Sequence, residues 1–135
     1  MARLIDSSVP ITVERRGLSA AAVRGLIPGQ GLAIASITAS ELLVGIHRAD
    51  TVERRERRRA YVETVLQMLA VIPFDLRVAR THAIVAARLH ATRLSVGAND
   101  MLVAATALAY ECPVVTDNVM EFERVEGLTV LAPGW

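Results

Sequence analysis

The sequence predicts a three-layer α/β/α sandwich around a mostly parallel central sheet. Three observations lead there. Short apolar runs ("RLIDSSV", "GLAIAS", "VIPF", "CPVVT" and "LTVL") recur along the chain, the pattern of strands buried on both faces. Segments with helical spacing separate them, and this alternation is the signature of an α/β sheet. No repeat, low-complexity tract or linker interrupts the 135 residues, so one domain, 1–135, is expected.

The elements follow in order. "RLID" gives a first strand over about residues 3–6. "PITVERRGLSAAAVRGLIPGQG" reads as helical pieces broken at Gly17, Pro28, Gly29 and Gly31, with Pro10 in a first turn, where the missing N–H costs nothing. "GLAIAS" is the second strand, and a helix is expected over about residues 38–49. "TVERRERRRAYVETVLQMLA" carries Val52, Tyr61, Val65, Leu66 and Leu69 as an apolar stripe among charges, as in an amphipathic surface helix. "VIPF" is a third strand closed by Pro73. A long helix follows with Val78, Ala79, His82, Val85, Ala86 and Leu89 on neighbouring turns. The chain then continues through a helix opened by Asp100, the strand "CPVVT", a helical turn "NVMEFERV" and the strand "LTVL".

Composition limits the function classes. Apolar residues make up 53% of the chain. Even so, no run reaches the roughly 18–20 uninterrupted apolar residues of a membrane span. Asp6 interrupts the apolar segment a signal peptide would need, which predicts a cytoplasmic protein without a membrane partner. Cys112 is alone, so no internal disulfide is available, and it reads as a small core residue. A net charge of +1 does not mark a strongly basic nucleic-acid binder. All 15 basic residues are arginine, so no chemistry here depends on lysine.

Four acids stand at boundaries of strongly apolar segments. Asp6 closes the first strand, Glu41 follows the second, Asp100 opens the buried helix, and Asp117 follows "CPVVT". Each has a plain alternative. Asp6, Asp100 and Asp117 are good helix caps, and Glu41 completes a capping box with Thr38 in "TASE". Together they would repel one another on one sheet edge unless something positive sits among them. Lysine is absent and no arginine adjoins any of the four. A hard divalent cation such as Mg²⁺ or Mn²⁺, held by carboxylates and waters, resolves the conflict. His47, His82 and His90 lie on charged or amphipathic helices with no acid or cysteine at ligand spacing, and read as structural or surface residues.

"LIDSSV", "ITASELLVG", "GANDMLVAATALA" and "VVTDNVMEFERVEGLTVL" resemble the successive motifs of PIN-domain ribonucleases, in particular the VapC toxins of bacterial VapBC toxin–antitoxin pairs. The resemblance runs from Leu4 to Trp135 in the family's order and spacing. It aligns the family's first three acids with Asp6, Glu41 and Asp100. The fourth position is Asn118 here, with Asp117 one residue earlier and Glu121 three later. Asp117 is taken as the fourth acid, with Asn118 and Glu121 as the alternatives for completing the site. Ser8 matches the family's serine and is expected to orient Asp6, while Pro10 replaces a bulky aliphatic residue.

The resemblance implies a metal-dependent endoribonuclease, with Asp6 and Asp100 as principal ligands of Mg²⁺ and Glu41 and Asp117 holding metal-bound waters. It also implies an RNA substrate such as a transfer or ribosomal RNA, a homodimer, and a small VapB-like antitoxin that folds as it binds. The stripe of Tyr61, Val65 and Leu69 is the expected contact surface. Three rivals fare worse. A phosphoryl-transfer domain with Asp at strand ends normally needs a lysine. Nucleotide binding through "GLIPGQG" fails because its glycines precede a strand. A PIN-like binding module without catalysis is at odds with the intact acids. The arginines of 53–59 interleave with Glu53 and Glu56, which favours an exposed helix over an RNA-binding track.

Overall fold

The computed structural model describes residues 2–26 and 31–135. Strand β1 (Ala2–Ile5) is central, flanked by β2 (Gly31–Ala35) and β4 (Val114–Val115), with β3 (Ala70–Ile72) and β5 (Val130–Leu131) outermost. Every neighbouring pair is parallel. Because side chains alternate along a strand, neighbouring residues enter different cores. Leu4, Ala33, Ala35 and Val114 meet Val85 and Leu89 of α5 (Leu76–Thr92), Val103 and Ala104 of α6 (Ala98–Ala109), and Phe122 of α7 (Val119–Phe122). Ile5, Ile34 and Val115 point the other way. They pack on Val9 of α1 (Ser8–Arg15), Leu42 and Ile46 of α3 (Ser36–His47), and Val62 and Val65 of α4 (Val52–Met68). Helix α2 (Ala21–Gly25) adds the buried Val23.

These two cores on opposite faces are the expected three layers. The chain runs from β1 outward to β2 and β3, then returns to lay down β4 and β5 on the other side. The reversal puts a topological switch point between β1 and β4, where open α/β sheets bind ligands beyond the strands' carboxyl ends. Of the expected helix breaks, Gly17 has a left-handed φ of 71° after α1 and Gly31 begins β2. Pro28 and Gly29 lie outside the described residues.

Two local expectations are corrected. Helix α3 starts at Ser36, directly off β2, so Thr38 is already inside the first turn and fully buried. The Thr38–Glu41 capping box therefore does not form, and Glu41 is carried one turn into the helix. In α4, Val52 is exposed, while Val62, Val65 and Leu69 are buried. The stripe is internal: Tyr61 is half-buried and its hydroxyl donates to the Pro10 carbonyl. The arginines of α4 hold the helix surface. Arg54 pairs with Asp50 at 2.9 Å, Arg59 with Glu56 at 3.6 Å, and Arg58 with Glu14 of α1 at 3.2 Å.

Helix α6 lacks a wet face. Val103, Ala104, Ala105 and Ala107 are fully buried, and the Thr106 hydroxyl donates to the Leu102 carbonyl within the helix. Only its first turn, with Ala98 and Asn99, is exposed. Small side chains let α6 approach the sheet closely. Ala104→Leu is therefore expected to overpack the core and cost about 1–3 kcal/mol, read from the urea midpoint of unfolding.

Candidate active site

Asp6 follows β1 directly and is 4% exposed. Its backbone N–H donates to the Val115 carbonyl, tying it to the end of β4 at the switch point. One carboxylate oxygen, Oδ2, accepts from Ser8 Oγ at 2.8 Å and from Thr116 Oγ1 at 2.9 Å. Thr116 is also fixed, since its hydroxyl accepts the Asn118 backbone N–H at 2.9 Å. The other oxygen, Oδ1, is buried and has no hydrogen-bond partner. A carboxylate oriented through one oxygen while the other stays unpaired is costly unless a ligand completes it.

Three more acids gather around Asp6, each from a different element. Glu41 comes from the second turn of α3, with Asn99 Nδ2 donating to its Oε2 at 3.4 Å and its buried Oε1 unpartnered. Burial and the charge of Asp6 push its pKa up against the hydrogen bonds from Asn99 and Ser7. Asp100 sits in the first turn of α6, behind the Gly97 cap. Burial first, then a hydrogen bond to Glu121 and the charges of Asp6, Glu121 and Glu41, raise its pKa to about 7. Glu121, on α7, is held below the usual range. The chief cause is the Gly97 backbone N–H, 2.6 Å from its Oε1, helped by hydrogen bonds from Asp100 and Asn118. Asp100 is thus the acid that gives up its proton least readily, with the Glu121 carboxylate as its acceptor.

The Gly97 cap lies directly against the two acids. A Cβ added there would stand 3.4 Å from Glu121 Oε1 and 3.8 Å from Asp100 Oδ2, ordinary contact distances, so it is the backbone N–H of this residue that serves the cluster.

Asp6, Glu41 and Asp100 thus come together as the sequence suggests. Asp117 does not join them. Its carboxylate is taken by Thr12 Oγ1 at 2.8 Å and Trp135 Nε1 at 3.0 Å, and it plays no part in raising the pKa of Asp100 or Glu41. The fourth acid of the cluster is Glu121. The reason is the turn after β4: Thr116 faces inward to Asp6, so Asp117 faces out toward α1, and the next helical turn returns Glu121 to the centre. Gly97, Asn99 and Ser7 also belong to the site, though nothing in their residue types marks them as catalytic. The "GAND" spacing, with a glycine three residues before Asp100, was the available signal for Gly97. Among the described residues no three His, Cys, Asp or Glu side chains already converge as a metal-ligating group.

The sequence profile of the PIN domain matches residues 3–128. Ribonuclease VapC1 of Rickettsia felis is 34% identical over 97% of this chain and 96% of its own length. The chain belongs to the PIN-domain family, among the VapC ribonucleases. A second relative, the tRNA(fMet)-specific endonuclease VapC of Salmonella typhimurium, is 33% identical over 73% of each chain. The crystal structure of DNA-bound VapBC from Salmonella typhimurium superposes on this PIN domain with a TM-score of 0.85. It covers 98% of both chains at 28% identity.

Proposed function

We propose that this PIN domain is the toxin of a toxin–antitoxin pair and cleaves structured RNA as a divalent-metal-dependent endoribonuclease. The observation that carries the reading is Asp6, a buried carboxylate with one oxygen doubly hydrogen-bonded and the other unpaired, beside acids that withhold their ionisation. Such a cluster suits a hard cation. Mg²⁺ is commonly held by one or two carboxylates and several waters, so it needs no ready-made cage of three side chains. Asp6 through Oδ1, and Asp100 once its shared proton leaves, would hold Mg²⁺ or Mn²⁺. Glu41 and Glu121 would accept hydrogen bonds from the surrounding waters, in place of the Glu41 and Asp117 pair expected from sequence.

When bound, the ion supplies the electrophile that neutralises charge growing on the phosphate and makes a water acidic enough to attack. The side chains do the rest. Ser8 and Thr116 fix the Asp6 carboxylate through Oδ2 and leave Oδ1 without a protein donor, for a ligand to complete. Glu41 would take the proton of the attacking water, since its raised pKa makes it a better base than an ordinary surface carboxylate. Glu121, fixed by the Gly97 N–H and Asn118 Nδ2, limits where the Asp100 carboxylate can sit.

EDTA is expected to abolish cleavage of unfractionated transfer RNA, with excess Mg²⁺ or Mn²⁺ restoring it. The Salmonella relative's name makes transfer RNA the first substrate to try. Cleavage that survives complete chelation sinks the metal mechanism.

The VapBC likeness supports a small VapB-like antitoxin as partner. A groove of about 180 Å³ lies between α1, α3 and α4, lined by Ile11, Arg15, Leu42, Gly45 and Val62 and reaching Glu41. An antitoxin segment seated there could bring an arginine to Asp6 or Asp100 and displace the cation. A homodimer needs a different surface from the one expected, because Val65 and Leu69 are core residues. Val71, Phe74 and Leu76, around edge strand β3 and the start of α5, are the exposed apolar side chains a second copy would cover. Among the described residues no helix is long and apolar enough to cross a membrane. The proposed site of action is the cytoplasm.

A further inference from the structure

Asp117 stands outside the acid cluster, yet its surroundings are built. Trp135 Nε1–H donates to its Oδ1 at 3.0 Å, and Thr12 of α1 donates to its Oδ2 at 2.8 Å. Its backbone N–H donates to Ser8 Oγ at 3.1 Å, and the same hydroxyl donates to Asp6 Oδ2 at 2.8 Å. An indole is therefore pinned two hydrogen-bonded steps from the residue that orients the first acid. The Arg16 guanidinium lies over that indole, 4.9 Å from the ring centroid, and has no ion-pair partner among the described residues. Trp135 remains 38% exposed despite these contacts.

Purely structural tethering leaves two features unexplained. A large aromatic ring is kept partly in water, and an arginine without an acid covers it. Both features suit a polyanion with aromatic bases. Bases stack on indole whatever their sequence, and arginine pairs with the phosphate between them. Both Asp117 oxygens are engaged by donors, so the carboxylate locks the ring in place.

We propose that Trp135 and Arg16, held by Asp117, form a nucleotide-binding subsite beside the acidic centre. There a base flanking the scissile phosphate stacks on the indole and its phosphate meets the guanidinium. The inference rests on RNA being the substrate. It assigns Asp117 to substrate positioning, away from the metal.

Trp135 is the chain's one tryptophan, so its fluorescence reports the subsite directly. In the Asp100→Asn protein, which should bind RNA without cutting it, a short oligoribonucleotide is expected to quench that emission. Inorganic polyphosphate, which can occupy Arg16 but cannot stack, should quench much less. Trp135→Ala is expected to raise KM for transfer RNA about tenfold, the loss of one stacked base, with kcat within a fewfold of wild type. Trp135→Phe, which keeps a ring, should recover most of the loss. Arg16→Ala, which leaves the Asp117 hydrogen bonds intact, should raise KM in the same direction.

Labelled RNA that binds with no change in emission overturns the subsite, as does equal quenching by polyphosphate. So does a Trp135→Ala protein that melts earlier but keeps its KM. If the wild type cleaves RNA with a KM indifferent to Trp135 and Arg16, the subsite alone falls. If it neither binds nor cleaves RNA, the subsite falls together with the ribonuclease reading.

Discussion

Replacing Asp100 with asparagine is expected to reduce RNA cleavage at least about a hundredfold while making the metal-free protein more stable at pH 8. The activity loss follows because an amide is a poor ligand for a hard cation. The stability gain follows from linkage. The Asp100 pKa is about 7 in the folded chain, against an ordinary 3.8. Below the unfolded value the carboxyl is neutral in both states and costs nothing. As pH rises toward and through 7, the unfolded chain has already lost the proton that the folded chain retains, so stability falls.

A shift of this size corresponds to about 4 kcal/mol at face value. Asp100 is only half-buried, however, and solvent screening reduces the expected loss to ~1–2 kcal/mol. Glu41, also raised, acts in the same direction. Glu121 is lowered, so its contribution changes only in more acidic solution and is constant between pH 5 and pH 8. Wild type and Asp100→Asn should therefore unfold most alike near pH 4 and diverge steadily toward pH 8 in urea titrations with EDTA. Adding Mg²⁺ at pH 8 should raise the melting temperature of wild type well above its effect on the variant. Equal pH profiles for the two proteins would show that Asp100 is not the strained member of the cluster.

The second large effect separates Glu121 from Asp117. Glu121→Gln removes the carboxylate that accepts the Gly97 N–H and shares the Asp100 proton. It is expected to lower kcat about 10- to 100-fold, the usual cost of losing a group that orients a metal ligand. Asp117→Asn should leave kcat within about threefold, because asparagine keeps an oxygen for one of its two donors. Its effect should appear in KM. A kcat collapse in Asp117→Asn, with Glu121→Gln near wild type, would return the fourth acid to the position expected from sequence. Steady-state cleavage of transfer RNA by both variants decides between them.

The layered fold was legible because burial on both faces leaves a mark: "LI", "AIA" and "VV" are apolar at every position, short, and separated by segments of helical spacing, the pattern of interior strands. Asp6, Glu41 and Asp100 were legible for a related reason. Each is a charged residue set against such a run, where a carboxylate is expensive without a partner. Chain order and alternating strands and helices then sufficed to place these acids near one sheet edge.

Tertiary structure alone decided the fourth acid, because Asp117, Asn118 and Glu121 differ by single steps of a turn and the direction of each side chain depends on how that turn leaves β4. The inward rotation of Thr116 onto Asp6 sends Asp117 toward Thr12 and Trp135, a partner 18 residues away that no local pattern announces. The start of α3 was decided in the same way. "TASE" has good capping chemistry, but the chain enters the helix from β2 two residues earlier and buries Thr38. The apolar stripe of α4 is real in sequence, yet whether a stripe faces a core or a partner depends on what packs over it. Here the sheet and α3 cover Val65 and Leu69, because the parallel crossover from β2 to β3 must lay its helices against the same face that Ile5, Ile34 and Val115 leave apolar.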